Sequence, residues 1–332
     1  MELELIRATS RRDYLDFLRF PAELFRNDPY WVPPLRSEER RELLRGANKV
    51  LERSEHELFI VKSAGETLGR IIVYIDPNYN RYHESRTGLF GNFEAVDDAE
   101  VFGLLFSAAE EWLEEKGMDE VLGPIDPLAE CWGFLLEGFD SSPVFLSPYN
   151  FPYYTVRIEE IGYRKGKDLL VYEADDTKGY VMPRRFTDFT RKYLERHQNI
   201  TIRTIDPKNL TRDAHHILTI LNRGVGGNWG YVPVEREEME DIVTKLKPIM
   251  DPGAILFVED EGRPVGCCLG FPDLNRVIKK IDGRLFPFGF IHLVLGIRKI
   301  RDYRLWGLAV LPEYIGRGLD VILYTRLFEY LK

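Results

Sequence analysis

The residues with the most chemical promise lie near the end of the chain, in LAVLPEYIGRGLD, residues 308–320. An apolar run with strand character leads into Pro312, and Gly316 and Gly318 flank Arg317 ahead of a second apolar run with helical spacing. Glycine lets backbone N–H groups approach a ligand closely, and a following helix aims its free amides and positive dipole end at the same point. That chemistry holds a phosphate or pyrophosphate. A second strand-to-helix turn, in the first half of the chain, reads Val96-Asp97-Asp98-Ala99. There two carboxylates stand where an anion would sit and repel it. The sequence therefore predicts one open anion seat and one closed one.

Other candidates are loops dense in polar aromatics. NRGVGGNWGYVP (222–233) presents Asn228, Trp229 and Tyr231, which either line an acceptor pocket or cover the core. The long segment 137–154 carries Asp140, Tyr149, Asn150, Tyr153 and Tyr154 around three prolines, with Asn150 and Tyr153 as further acceptor-lining candidates. RLFPFGFIHLVLGIRKIR (284–301) is strongly apolar, then strongly basic. The expected reading is a buried helix with a charged end, the alternative an interfacial helix with cations on lipid headgroups. His292 within it reads as a hydrogen-bonded core residue, and the adjacent His215 and His216 diverge on a helix and cannot chelate one metal. No His, Cys and carboxylate cluster has ligand spacing, and no GxSxG or Walker loop is present, so no metal is expected.

The elements that must position these residues recur. In the first half LELIRAT is a strand, and 11–25 has helical spacing that Pro21 should break. Residues 57–63 and 68–75 form a hairpin, 87–96 a strand and 99–116 a helix capped by Asp97 or Asp98. DEVLGPI is a short strand, PYYTVRIEEIG a helix, and KDLLVYEA (167–174) a closing strand. In the second half a basic connecting helix (184–197) precedes the strand NITIRTID and helices over 209–223 and 235–248. A second hairpin, AILFVED with PVGCCLGF, leads to a strand over 304–311 and a terminal helix. Hairpin, strand, turn and helix thus occur twice, which fits two tandem copies of one α/β domain.

At 332 residues the chain is long enough for two domains, and 44% hydrophobic with 30% charged residues is the profile of a globular protein. The formal charge of −9 is uneven: residues 1–175 carry 20 Lys and Arg against 34 Asp and Glu, and 176–332 carry 25 against 20. The basic residues are scattered, which favours a small anionic ligand over nucleic acid. Cys131, Cys267 and Cys268 make no disulfide framework and suit a reducing compartment. With a polar, acidic N-terminus and no stretch of membrane-spanning length, the sequence points to the cytoplasm.

The run V-x-P-E-Y-x-G-R-G-L (310–319), preceded by a strand and followed by an apolar helix, resembles the acetyl-coenzyme A signature of the GNAT acyltransferase superfamily. The resemblance covers 199–332 well and the first half in topology. The whole chain looks like a bacterial group with two tandem GNAT-like domains, through WVPPL (31–35), 137–154, NWGYVP (228–233) and GRLFPFG (283–289). It implies a degenerate domain over 1–175, a connecting helix over 176–198, and a domain carrying the acyl-CoA motif over 199–332. Backbone groups of Leu308, Ala309 and Val310 would align the pantetheine arm and polarise the thioester carbonyl. Amides of Ile315, Gly316, Arg317, Gly318, Leu319 and Asp320 would wrap the pyrophosphate, with Arg317 adding charge. Ile315 stands where the family prefers Arg or Gln, and Asp320 where it prefers Gly or Ala.

The family's fold continues past this helix with a further strand and helix, and the residue that protonates the departing thiolate lies there. The expectation is either a truncated sequence or a second domain that borrows its missing layer. The function implied is transfer of an acetyl or other acyl group from coenzyme A to an amine, small molecule or peptide. One rival is a binding or scaffold protein that kept the fold and lost the chemistry. The other is an acyltransferase working at a membrane surface through 284–301.

Overall fold

The computed structural model describes residues 2–44, 46–128, 131–297 and 299–332. In chain order the elements are β1 (Glu4–Arg7), α1 (Arg11–Leu24), α2 (Arg36–Leu44), α3 (Lys49–Arg53), β2 (Glu55–Ser63), β3 (Glu66–Ile75) and α4 (Pro77–His83). Then come β4 (Thr87–Ala95), α5 (Ala99–Glu115), β5 (Glu120–Leu122), α6 (Tyr153–Glu160) and α7 (Arg184–Arg196). The second half follows with β6 (Ile200–Thr204), α8 (Leu210–Gly224), α9 (Arg236–Leu246), β7 (Ile255–Asp260) and β8 (Arg263–Pro272). It ends with α10 (Asn275–Lys280), α11 (Gly289–Ile297), β9 (Tyr303–Val310) and α12 (Leu319–Leu331).

The chain divides into two compact units, Met1–Leu170 with Leu274–Leu295, and Val171–Asp273 with Gly296–Lys332. The first break falls at 170 and not at 175, α7 is part of the second unit, and of the insertion between β8 and β9 residues 274–295 belong to the first.

In the first unit the sheet order is β1-β2-β3-β4-β5, antiparallel except for the parallel pair β4–β5. Alternation along β3 sends Ile71 and Val73 into an aromatic-rich core with Phe90, Phe93, Phe102, Phe106 and Tyr154 beneath α5. Arg70 points to the other face, where α1 lies and its guanidinium covers the Phe17 ring at 4.5 Å. Pro21 does not break α1, contrary to expectation. Proline withholds the N–H that Phe17 O would accept, and Arg70 Nη1 donates to that oxygen instead at 2.9 Å. A capping box between Ser10 and Asp13 fixes the helix start.

In the second unit the sheet is antiparallel throughout, in the order β6-β7-β8-β9. Leu319, Ile322, Leu323 and Leu327 of α12 share one core with Ile217, Ile220 and Leu221 of α8 and with Cys267 and Cys268 of β8. Both cysteines are fully buried, and burial pushes the Cys268 thiol up to about 12, so they act as small apolar residues.

Two further expectations are corrected. Residues 167–174 form no strand: a strand needs a neighbour, none pairs with them among the described residues, and Val171 is 87% exposed. Residues 289–297 do form a helix, but it is not a buried one, since only Leu293 is buried on it. His292 is accordingly exposed, with its ring nitrogen against Phe288 O on its own helix. Among the described residues no helix is long and apolar enough to cross a membrane, and no group of three potential metal ligands converges.

Candidate functional site

The glycine turn connects β9 to α12 within the second unit. After Val310 a single 3₁₀ turn (Pro312–Tyr314) carries the chain outward, with Tyr314 N–H donating to Leu311 O at 2.9 Å. Gly316 (φ +81°) and Gly318 (φ +77°) both lie in the left-handed region that other residues avoid. A Cβ on Gly316 would meet open space, whereas one on Gly318 would come 2.4 Å from Phe189 Cζ of α7. Gly318 therefore serves both the turn and the packing of α7 against α12, while Gly316 serves the turn and leaves its outer side clear. Gly318 is the N-cap of α12 and offers no side chain, so the cap itself brings no oxygen to the first-turn amides of Leu319, Asp320 and Val321. Asp320 is exposed.

Arg317 is anchored at the rim. Its guanidinium lies 4.5 Å from the Tyr314 ring centre and donates from Nη2 to Glu313 O at 3.0 Å. Tyr314 is fixed in turn by donating its hydroxyl to Asp260 Oδ2 at 2.7 Å. The Ile315 side chain is 64% exposed, so the residue takes part in the turn through its backbone.

Leu308, Ala309 and Val310 lie on β9, which is the last strand of its sheet. Leu311 N–H donates to Val265 O at 2.8 Å. Strand alternation then turns Ala309 N–H toward β8, and Leu308 and Val310 N–H toward the other edge. Among the described residues no strand pairs with that edge. The C-terminal Gly224 of α8 lies against the end of β9, where an added Cβ would stand 2.5 Å from the Val310 carbonyl oxygen and 3.4 Å from Ala309 Cβ. An open strand edge thus leads directly into an uncapped helix N-terminus. A groove of about 590 Å³ between α7 and α12 is separate from this turn, and its charged residues pair with each other, Arg191 with Glu195 and Arg326 with Glu329.

The acceptor-lining candidates separate. Asn228 and Trp229 are exposed on the loop after α8, and Trp229 is 42% exposed. Tyr231 is braced, donating its hydroxyl to Asn222 Oδ1 at 2.6 Å. Asn222 was not legible as a loop organiser, yet its amide also bonds both backbone groups of Val234. Asn150 and Tyr153 belong to the first unit, where their polar groups are engaged by neighbouring residues. Asn150 is buried and spends its amide on Leu135 N, Leu135 O and Phe151 O. Tyr153 donates to Ala95 O at 2.7 Å and stacks on Phe151.

The first unit's counterpart turn is filled by its own side chains. Asp98 caps α5 by accepting from Glu100 N at 2.8 Å and Val101 N at 3.4 Å. Asp97 pairs with Arg157 at 2.8 Å. The space beside β4 is also occupied: Ile125 N donates to Phe90 O at 2.7 Å, and a Cβ on Gly91 would lie 2.2 Å from Ile125 O.

On the face that carries Arg70 the first unit gathers a polar cluster that sequence reasoning missed. Arg70 is buried and bonds Glu94, and Asp126 accepts from Asn92 N at 2.5 Å. Removal from water pushes the Asp126 carboxyl up to about 7, with Glu94 adding to the rise and the Asn92 N–H and Arg70 opposing it. Glu39 is raised to about 7 by the same loss of water, against the pull of Arg70. Both carboxyls therefore change protonation near neutrality. No sequence signal marks them, because α2, the bulged β3–β4 pair and the loop after β5 come together only in the fold.

The two-fold recurrence of sheet, strand, turn and helix defines a tandem-domain α/β protein. No family model matches the chain. Protein YghO of Escherichia coli is 32% identical over 328 residues, covering 97% of this chain and 82% of the relative. The bacterial ceramide synthase of Caulobacter vibrioides is 30% identical over 310 residues, covering 92% of this chain and 79% of that protein. The chain belongs to the family that contains these two proteins. Among solved structures, a tandem GNAT protein from the clavulanic acid biosynthesis pathway covers 99% of this chain and 86% of its own at 12% identity, with a TM-score of 0.49.

Proposed function

We propose that this protein transfers an acyl group from an acyl-coenzyme A to an amine, and that the amine is a long-chain one. The observation that carries the donor half is the uncapped N-terminus of α12 behind Gly316 and Gly318, at the end of a strand whose outer edge is open. The residues fit a coenzyme A: the left-handed glycines leave room, the Leu319, Asp320 and Val321 amides supply donors, and Arg317 adds a cation at the rim. A bound thioester supplies an activated acyl group. The N–H groups of Leu308 and Val310 then face the side on which a carbonyl oxygen gains charge. Asp320 lies in the first helical turn, where it suits the dipole and competes with phosphate, so the affinity should depend on salt.

The acceptor half rests on kinship. A ceramide is the amide of a long-chain amino alcohol, and the relative named for making it is 30% identical over most of both chains. The test is to incubate the protein with acyl-CoAs of graded chain length and a long-chain amino alcohol, and to follow the amide by mass spectrometry. Amide formation that slows about tenfold with Gly316→Asp at subsaturating acyl-CoA supports the reading. No amide from any pair, together with no heat on titrating coenzyme A, would leave a binding protein that has kept the fold alone.

A further inference from the structure

We infer that Phe286, Phe288 and the outer stripe of α11 form a wedge by which the first unit docks on an anionic lipid bilayer. Phe286 is 82% exposed, Phe288 66% and Phe290 57%, and Ile291, Val294 and Leu295 are exposed beside them. At 100° per residue, positions 290, 291, 294 and 295 fall within one arc of the helix and Leu293, the buried residue, lies outside it. A contiguous apolar patch of this kind marks an interaction surface.

The patch is mounted on a built platform, not on a loose loop. Gly283 is pressed against the WVPPL segment so closely that a Cβ would stand 2.1 Å from Pro34 O, and Arg36 N–H donates to Gly283 O at 3.1 Å. Arg36 also pairs with Asp282 at 2.7 Å. From α10, Asn275 donates to Pro143 O at 2.7 Å and Lys279 to Ser142 Oγ at 2.8 Å, both in the 137–154 loop. Phe290 N–H closes the approach by donating to Leu285 O at 2.8 Å. Three segments far apart in sequence thus converge to hold two phenylalanines and a short apolar helix outward.

Charge identifies the occupant. The chain as a whole is acidic, yet within the first unit the stretch from Arg276 to Arg284 carries four Lys and Arg against one Asp. Lys280 and Arg284 are exposed within the same unit as the wedge. A second copy of the chain would bring like charges together, whereas an anionic bilayer takes up the aromatic and aliphatic side chains and pairs its headgroups with the cations. Neither half of that attraction anchors a protein firmly alone; together they give a reversible, salt-sensitive dock.

The inference goes beyond the proposed reaction, and its test needs neither acyl donor nor amine. The intact protein is sedimented with phosphatidylcholine vesicles made with and without phosphatidylglycerol, at low and high salt. It should pellet with the anionic vesicles and release at high salt. Phe286→Asp with Ile291→Asp should weaken binding at least about tenfold, the loss expected when two inserted apolar side chains become carboxylates. Lys280→Glu with Arg284→Glu should abolish the preference for phosphatidylglycerol. Both variants should keep the wild-type melting temperature and coenzyme A affinity, which separates a lost dock from a lost fold. The inference is overturned if the wild type ignores anionic vesicles or if the variants pellet as it does. It is equally overturned if Phe286→Asp with Ile291→Asp dissolves a dimer of the free protein instead.

Discussion

The two strand-to-helix turns have the same place in their units and opposite states. At β4–α5 the helix amides are taken by Asp98, Asp97 is held by Arg157, and the chain after β5 lies against β4. At β9–α12 the cap is a glycine that brings no oxygen, and among the described residues no strand pairs with the edge beside it. A helix N-terminus has donors to offer whatever its sequence. What decides between structure and ligand binding is whether the protein supplies its own oxygen. One carboxylate at the N-cap is enough to turn an anion seat into a fold-stabilising cap.

Substitutions at the turns can break or sharpen this contrast. The largest effect is expected at Gly318, where Gly318→Leu must enter the left-handed region and displace Phe189. We expect a loss of about 3 kcal/mol from strain and overpacking, read as a lower denaturant midpoint. Gly316→Asp should leave stability nearly unchanged, since its side is clear and Asp tolerates positive φ, and should weaken coenzyme A binding about tenfold by placing a carboxylate where phosphate belongs. Asp98→Ala in the first unit should do the reverse, costing about 1 kcal/mol of stability as a lost cap while leaving coenzyme A affinity as it was. Chemical denaturation and calorimetric titration on the same samples separate the two outcomes.

A smaller effect concerns pH. Glu39 and Asp126 have carboxyls raised to about 7 in the folded protein, above the ordinary carboxylate range of the unfolded chain. Between those values the folded state binds more protons than the unfolded one, so stability falls as pH rises from about 4 to about 7 and is flat with respect to these groups on either side. Asp126→Asn keeps an oxygen for Asn92 N–H and removes one titration. The variant should lose less in melting temperature than the wild type across that window; an identical decline in both would assign the drift elsewhere.

Much of the architecture was legible because each main element carries a local signal. Both hairpins, the helices α5, α7, α8 and α12, and the strand before the glycine turn follow from period and caps. The failures have physical causes. Pro21 looked like a break because its compensation, the Arg70 guanidinium on Phe17 O, comes from a strand 53 residues away. The alternation in 167–174 predicts a face but cannot supply a partner strand. Composition cannot distinguish a buried apolar helix from an exposed one, so the run over 284–301 predicts the commoner, buried kind. Of the candidate site, the backbone seat was visible in Gly316 and Gly318, since conformation is written in glycine. The Asp126, Glu39 and Arg70 cluster was invisible, since nothing local marks residues that meet only across a sheet.

The central claim is that the protein holds coenzyme A with the amides after Tyr314 and not with those after Val96. Amide hydrogen exchange with and without saturating coenzyme A tests it directly. Slowed exchange at Gly316 to Val321, with Asp98 to Val101 unchanged, is the predicted result; slowing at the first turn, or at neither, would contradict it.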